Sequence, residues 1–237
     1  MRLSLWTLLI LLVVTRSSFA EYSIMEIFNK FSSPRMISFS DHNEVFVAGG
    51  DDHKAHVYLN EGDDFRSLDF TLESSGDVDV ADITENGKWI LTTDEYGVVD
   101  IYKFNFKTHE YELYQSIPSS WTYSGAITDD HMWVVFGSYP SLYVYNFDGN
   151  QFILNQTIFL RKSIRSVSLT NDHQVLAAGT YNDVKIYEHD GTEFTLSQTI
   201  NPGEYYFARV SVTEDHQYLT FTDYDLLFVY KNIDGSY

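Results

Sequence analysis

The sequence predicts an all-β chain built as a propeller of five four-stranded blades, and three observations carry that expectation. First, an aliphatic-Tyr pair recurs as Val57-Tyr58, Ile101-Tyr102, Val144-Tyr145, Ile186-Tyr187 and Val229-Tyr230, with tyrosine-to-tyrosine steps of 44, 43, 42 and 43 residues. Second, two other markers keep that interval. A hydroxyl residue closes a strand before a polar turn at Ser40, Thr84, Thr128, Thr170 and Thr213, and an aromatic opens a strand after a turn at Phe65, Tyr111, Phe152 and Phe194. Third, each interval holds four short runs rich in β-branched and aromatic residues, separated by Asn, Asp, Gly, His and Ser. Four strands per repeat of roughly 40–45 residues is the pattern of a propeller blade.

The fourth copy serves as the template, with strands expected at 164–169, 174–178, 183–187 and 194–200. Its outer half joins Val184 through Ile186-Tyr187 to Phe194, Leu196 and Ile200 across Asp190-Gly191, and 142–158 repeats it across Asp148-Gly149. Asp-Gly between two hydrophobic runs is a hairpin signal, because a primed turn needs positive φ. Along 194–200 the apolar Phe194, Leu196 and Ile200 share one face and Thr195, Ser197 and Thr199 the other. No sustained helical periodicity follows residue 21. At the start of the mature chain, Glu21-Tyr22-Ser23-Ile24 matches Glu193-Phe194-Thr195-Leu196, and Tyr22 precedes Ser40 by 18 residues as Phe152 precedes Thr170 by 18. The expectation is therefore that the strand beginning at Tyr22 supplies the outer strand of the last blade, closes the ring and removes two sheet edges. The alternative is a fragment of a larger propeller.

In period and pattern, residues 22–237 resemble the WD40-like propellers, and other secreted propellers no less. The Trp-Asp pair that closes the third strand in the WD40 family is an aliphatic-Tyr pair in every copy here, and the Gly-His pair is absent.

The first twenty residues stand apart from the repeats. Arg2, the apolar run from Leu3 to Val14, and the small residues Ser18 and Ala20 around Phe19 read as a secretory signal peptide cleaved after Ala20. An uncleaved anchor is the alternative, although twelve apolar residues fall short of the roughly 20 a spanning helix needs. Cleavage leaves residues 21–237 as one propeller domain, secreted or held in the secretory lumen, with no membrane insertion. With no Cys, disulfides cannot staple it, and a large core must carry its stability. The chain has 15 basic and 34 acidic residues, and a field of that sign repels nucleic acid and anionic lipid. Asn155-Gln156-Thr157 is a glycosylation sequon, with Asn155 as acceptor.

Candidate chemistry is sparse. His131, His173 and His216 each follow Asp, but they fill the slot of Gly87 and Asn43 and are expected to be turn residues tolerant of positive φ. The cluster Asp51-Asp52-His53-Lys54-Ala55-His56 has an acidic-His composition, yet Gly50 to Tyr58 spans the same eight residues as Asp94 to Tyr102, so no insertion builds a site there. No metal and no cofactor is expected. Asp77, Asp79 and Asp82 form an acidic cluster on the first strand of blade two, the one nearest the central channel, with Asp77 and Asp79 on one face and Asp82 on the other, where the matching strands carry Ser124, Arg165 and Arg209. Glycoside hydrolysis needs two carboxyls about 5–9.5 Å apart, and no second carboxylate opposes these apart from Glu204. No nucleophile elbow, His-Glu-x-x-His or phosphate loop is present. What remains is aromatic. Trp121, Tyr123, Tyr139, Tyr181, Tyr205, Tyr206 and Tyr224, with Tyr96, fall on loops expected to share one face, and exposed Tyr and Trp suit contacts with protein or sugar. The leading expectation is a secreted, non-catalytic module that binds a protein or a glycan through this face. The rivals are a glycoside-active enzyme using Asp79 and a structural extracellular component.

Overall fold

The structure, a computed structural model, describes residues 33–41, 44–60, 65–201, 209–222 and 226–237, with backbone alone for 65–70. Among these residues, nineteen strands form five antiparallel sheets, each built from consecutive strands. Blade one comprises β1 (Met36–Phe39), β2 (Val45–Gly49), β3 (Lys54–Asn60) and β4 (Phe65–Glu73). Blade two comprises β5 (Val78–Ile83), β6 (Trp89–Asp94), β7 (Val98–Asn105) and β8 (Glu110–Pro118). Blade three comprises β9 (Thr122–Ile127), β10 (Trp133–Ser138), β11 (Ser141–Phe147) and β12 (Phe152–Phe159). Blade four comprises β13 (Ile164–Leu169), β14 (Val175–Thr180), β15 (Val184–His189) and β16 (Phe194–Ile200). Blade five has three strands among the described residues: β17 (Arg209–Val212), β18 (Tyr218–Thr222) and β19 (Leu227–Lys231). The all-β, five-sheet repeat architecture is thus a propeller-like fold. The strand expected to begin at Tyr22 lies outside the described residues.

The core sits in the seams between blades. One apolar cluster joins Val47 and Val57 of blade one to Ala81 and Ile90 of blade two, and another joins Leu91 and Ile101 to Val134 and Phe136. A third joins Val135 and Val144 to Val167 and Leu176, and a fourth joins Ala177 and Ile186 to Val210 and Phe221. Each such side chain taken out of water contributes about 1.5–3 kcal/mol, so each seam outweighs any single polar contact.

The aliphatic-Tyr pair has a structural meaning. In blades two, three and four the register of the outer hairpin shifts within that pair, leaving Tyr114, Asn155 and Ser197 as the extra residues of a bulge. Directly after each bulge comes a glutamine that reaches the next blade. Gln115 donates to the Phe152 carbonyl and accepts from its N–H, at 2.9 and 2.8 Å. Gln156 does the same with Phe194, and Gln198 with Tyr237. Tyr237 thereby holds the position of the aromatic that opens an outer strand.

Local turn chemistry repeats as faithfully. Thr84, Thr128, Thr170 and Thr213 each donate a hydroxyl bond to Asn86, Asp130, Asp172 or Asp215 and accept the N–H of the residue that starts the next strand. Gly87, His131, His173 and His216 follow with φ of 64°, 52°, 63° and 56°, the left-handed conformation expected of that slot. In the outer hairpins Gly149 and Gly191 take φ of 98° and 100°, while the Asp148 and Asp190 carboxylates accept two backbone N–H groups each. The Thr192 hydroxyl adds a further bond, and with the backbone donors it holds the exposed Asp190 carboxyl down at about 2.

Replacing Gln156 by Ala removes both bonds to Phe194 and leaves that carbonyl and N–H without partners. The expected loss is about 1–3 kcal/mol in chemical denaturation, with Gln151→Ala, an exposed turn position, as the neutral control.

Candidate functional site

The candidate site is generated by a second set of bulges, on the innermost strands. The β5–β6 register shifts between Val78 and Val80, and the β13–β14 register between Ile164 and Ser166, leaving Asp79 and Arg165 unpaired in the ladder. In blade three Gly137 pairs with Ser124 and Ser138 with Thr122, so Tyr123 is the extra residue. A bulge re-aims its side chain, and these three cross blade boundaries. The counterpart of Asp79 in blade three is therefore Tyr123. Tyr123 stands five residues before its hydroxyl marker, as Asp79 and Arg165 do, and Ser124 is its neighbour on the same strand.

Around Asp79 the charges converge on Arg35. Its guanidinium bonds Asp77 at 2.8 Å, Asp51 at 2.5 Å and Asp79, and His53 lies 3.2 Å from Asp77. Burial pushes the Asp79 carboxyl above the usual carboxylate range, against the opposing pull of Arg35. Arg209 of blade five donates to the Arg35 carbonyl at 3.4 Å. Asp82 does not join this group. It accepts the Ser38 hydroxyl of blade one at 2.8 Å, its neighbour's N–H on Ile83 at 3.0 Å and the Ile127 N–H of blade three at 3.1 Å. Ser168 takes the same role toward Val212. Burial pushes the Asp82 carboxyl up despite these donors. Asp77 and Asp79 are thus brought together, whereas Asp82 ties three blades.

The histidines also serve seams. His131 stacks on Trp89 of the preceding blade at 5.0 Å between ring centroids, and His173 and His216 lie 3.0 and 3.1 Å from Asp130 and Asp172. His56 pairs with Asp52 at 2.6 Å. Among the described residues, no group of three or more His, Asp or Glu is placed to hold a metal ion.

The aromatic residues divide into two groups. Tyr123 and Tyr181 meet at one cation, with the Arg165 guanidinium carbon 4.6 and 4.5 Å from their ring centroids. Trp121 and Tyr139 are 65% and 57% exposed on two loops that Ser120 ties together, its hydroxyl lying 2.8 Å from that of Ser138 and 3.1 Å from the Tyr139 carbonyl. The Tyr139–Pro140 peptide is cis. Gly97 supports the first loop from behind. Its φ is 88°, and a Cβ there would lie 2.7 Å from the Ser120 backbone, so only glycine allows this approach. Tyr205, Tyr206 and Tyr224 lie outside the described residues, as does Glu204. Asn155 and Thr157 are exposed on the outer strand of blade three.

Three participants escaped the sequence reading. Arg35 precedes the first marker of its own blade, and nothing local announces its partners 16, 42 and 44 residues away. Exposed Phe159, with Arg161 stacked 5.5 Å from its ring centroid, interrupts the alternation of β12, a signal that was available. An acidic or amide residue also follows every hydroxyl marker: Asp41, Glu85, Asp129, Asn171 and Glu214. Their backbone N–H groups pass from blade to blade. Asp41 donates to the Glu85 carbonyl, Glu85 to the Asp129 carboxylate, Asp129 to the Asn171 side chain and Asn171 to the Glu214 carboxylate. The facing Asp129 charge, with burial and Asp41, pushes the Glu85 carboxyl up.

Comparison with known proteins identifies a fold class. No family model matches the chain, and no curated protein matches it in sequence. In shape it is similar to a chain in a crystal structure of a mitotic checkpoint complex, with a TM-score of 0.70 and 12% identity over 84% of this chain. This chain spans 64% of the length of that one. Together with the repeated four-stranded sheets, that likeness fits a WD40-like propeller. Identity this low speaks for the fold alone.

Removing Arg35 leaves Asp77 and buried Asp79 without their shared cation. Arg35→Ala is expected to lose about 1–3 kcal/mol in urea denaturation, and Arg35→Met with Asp79→Asn to recover most of it. An unchanged midpoint for the single variant would contradict this role.

Proposed function

We propose that this protein is a secreted, non-catalytic propeller that binds a protein or glycan partner through the loop face bearing Trp121, Tyr139, Tyr123 and Tyr181. The observation that carries the reading is the exposure of Trp121 and Tyr139 on loops tied together by hydrogen bonds. Flat apolar area on a pre-ordered loop loses little conformational freedom on binding, which is what a recognition hot spot requires. The enzymatic alternative draws less support, because Asp77 and Asp79 are engaged by Arg35. Secretion rests on the signal-like first twenty residues and on the sequon whose Asn155 is exposed. Replacing Trp121 and Tyr139 together by Ala is expected to weaken capture on a glycan array and in proximity labelling by tenfold or more, about 1.4 kcal/mol, with the melting temperature unchanged. Undiminished capture would refute the face.

We further propose that the five blades form a closed ring in which the segment after Tyr22 pairs with β19. Support comes from the aliphatic residue of the marker pair. Val57, Ile101, Val144 and Ile186 are buried, while Val229 is 61% exposed on β19. The Arg209–Arg35 contact joins blades five and one. The position already held by Tyr237 revises the register, since the closing strand is then needed from Ser23 onward rather than from Tyr22. Deleting residues 22–31 is expected to make the β18–β19 hairpin the first site of limited proteolysis. A deletion variant as resistant as the parent would sink the idea.

A further inference from the structure

We infer that the Tyr123–Arg165–Tyr181 cluster is a carboxylate-recognition subsite for an acidic peptide segment, the part of the binding face that reads charge. The inference rests on the binding-face reading above and adds the chemical class of the partner.

Arg165 is the bulge residue of β13, so its side chain is set by the ladder irregularity and not by pairing within the sheet. Tyr123 comes from the neighbouring blade and Tyr181 from the loop joining β14 to β15, which places one ring of each blade against the guanidinium, at 4.6 and 4.5 Å. Cation–π contact of this kind orders the side chain but uses none of the five N–H donors of the guanidinium in a hydrogen bond. Among the described residues no carboxylate bonds Arg165. That is notable in a chain with 34 acidic and 15 basic residues, where Arg35 binds three aspartates and Lys162 and Lys185 share Asp183. Among the described residues the fold supplies acidic partners to these other cations and aromatic ones to Arg165.

A pre-ordered planar fork whose edge donors bond no carboxylate among the described residues matches one from a partner, which it engages through two parallel bonds. A peptide is favoured as the carrier because the same face presents exposed Trp121 and Tyr139, with Phe159 and its stacked Arg161 on the outer strand of blade three. Apolar side chains flanking an acidic residue would find flat aromatic surface there. The protein's own negative field adds specificity, since an acidic partner gains only where a cation is locally unpaired, and a uniformly acidic one is repelled elsewhere.

The test is a random heptapeptide phage library selected against the full chain and against its Arg165→Gln, Arg165→Lys and Trp121→Ala variants, with each pool sequenced. The expected wild-type pool is enriched in Asp or Glu at one position beside apolar residues. Synthetic peptides from that pool should bind Arg165→Gln about tenfold or more weakly, while Arg165→Lys, which keeps the charge but not the fork, loses part of the affinity. Gln-substituted and C-terminally amidated versions distinguish a side-chain carboxylate from a terminal one. Melting curves report folding, and Arg165→Lys carries the comparison if the Gln variant fails to fold. A wild-type pool without acidic preference, the same preference in the Arg165→Gln pool, or no peptide enrichment at all overturns the inference. Retention of a uronic-acid oligosaccharide in place of peptides overturns it while sparing the face, provided Trp121→Ala abolishes that retention. An unchanged Trp121→Ala pool that still depends on Arg165 removes the face reading and leaves the carboxylate subsite standing.

Discussion

Everything in this structure depends on the burial of one sheet face against the next. A four-stranded antiparallel sheet has two faces, and in a row of such sheets each inner position must find its partner on a neighbouring blade. The apolar clusters are accordingly shared between blades rather than owned by them. Four of the five aliphatic marker residues are buried in such seams, and Val229, on the sheet with three described strands, is exposed. With no Cys to cross-link the chain, this burial is the main source of stability.

Polar contacts then set the spacing of the seams. Gln115, Gln156 and Gln198 each satisfy a backbone N–H and a carbonyl on the following blade, and the Asp41-to-Glu214 series passes backbone N–H groups along the inner turns. These bonds are individually modest, about 0.5–1.5 kcal/mol net, but they are directional where packing is not. Much of the acidity of the chain is absorbed in this way. Asp82, Asp129, Asp130, Asp172 and Glu214 all accept bonds from, or lie against, a group on another blade. Residues that resemble a functional acidic surface in the sequence are in part the joints of the repeat.

The candidate site arises where the repeat is irregular. Bulges on the inner strands release Asp79, Tyr123 and Arg165 from the ladder, and each blade fills its released position with a different residue. The result is an aspartate neutralised by Arg35 on one side and an arginine meeting two tyrosines on the other. Equivalent backbone positions with non-equivalent side chains are how a repeat fold acquires an asymmetric surface without altering its packing.

The blade period, the strand class, the left-handed histidine turns and the Asp-Gly hairpins were legible in the sequence, because each is dictated within about ten residues by side-chain alternation, hydroxyl-Asx bonding or the φ freedom of glycine. The loop positions of Trp121 and Tyr139 followed from the same phase. Only the tertiary structure decided which of the inner-strand residues meet. Arg35 finds aspartates 42 and 44 residues away, Tyr123 of blade three meets Arg165 of blade four, and Asp82, which alternation sets on the other face from Asp77 and Asp79, ties three blades. The physical reason is the bulge. One extra residue in a strand re-aims its side chain toward a neighbouring blade, and what meets it there comes from parts of the chain distant in sequence.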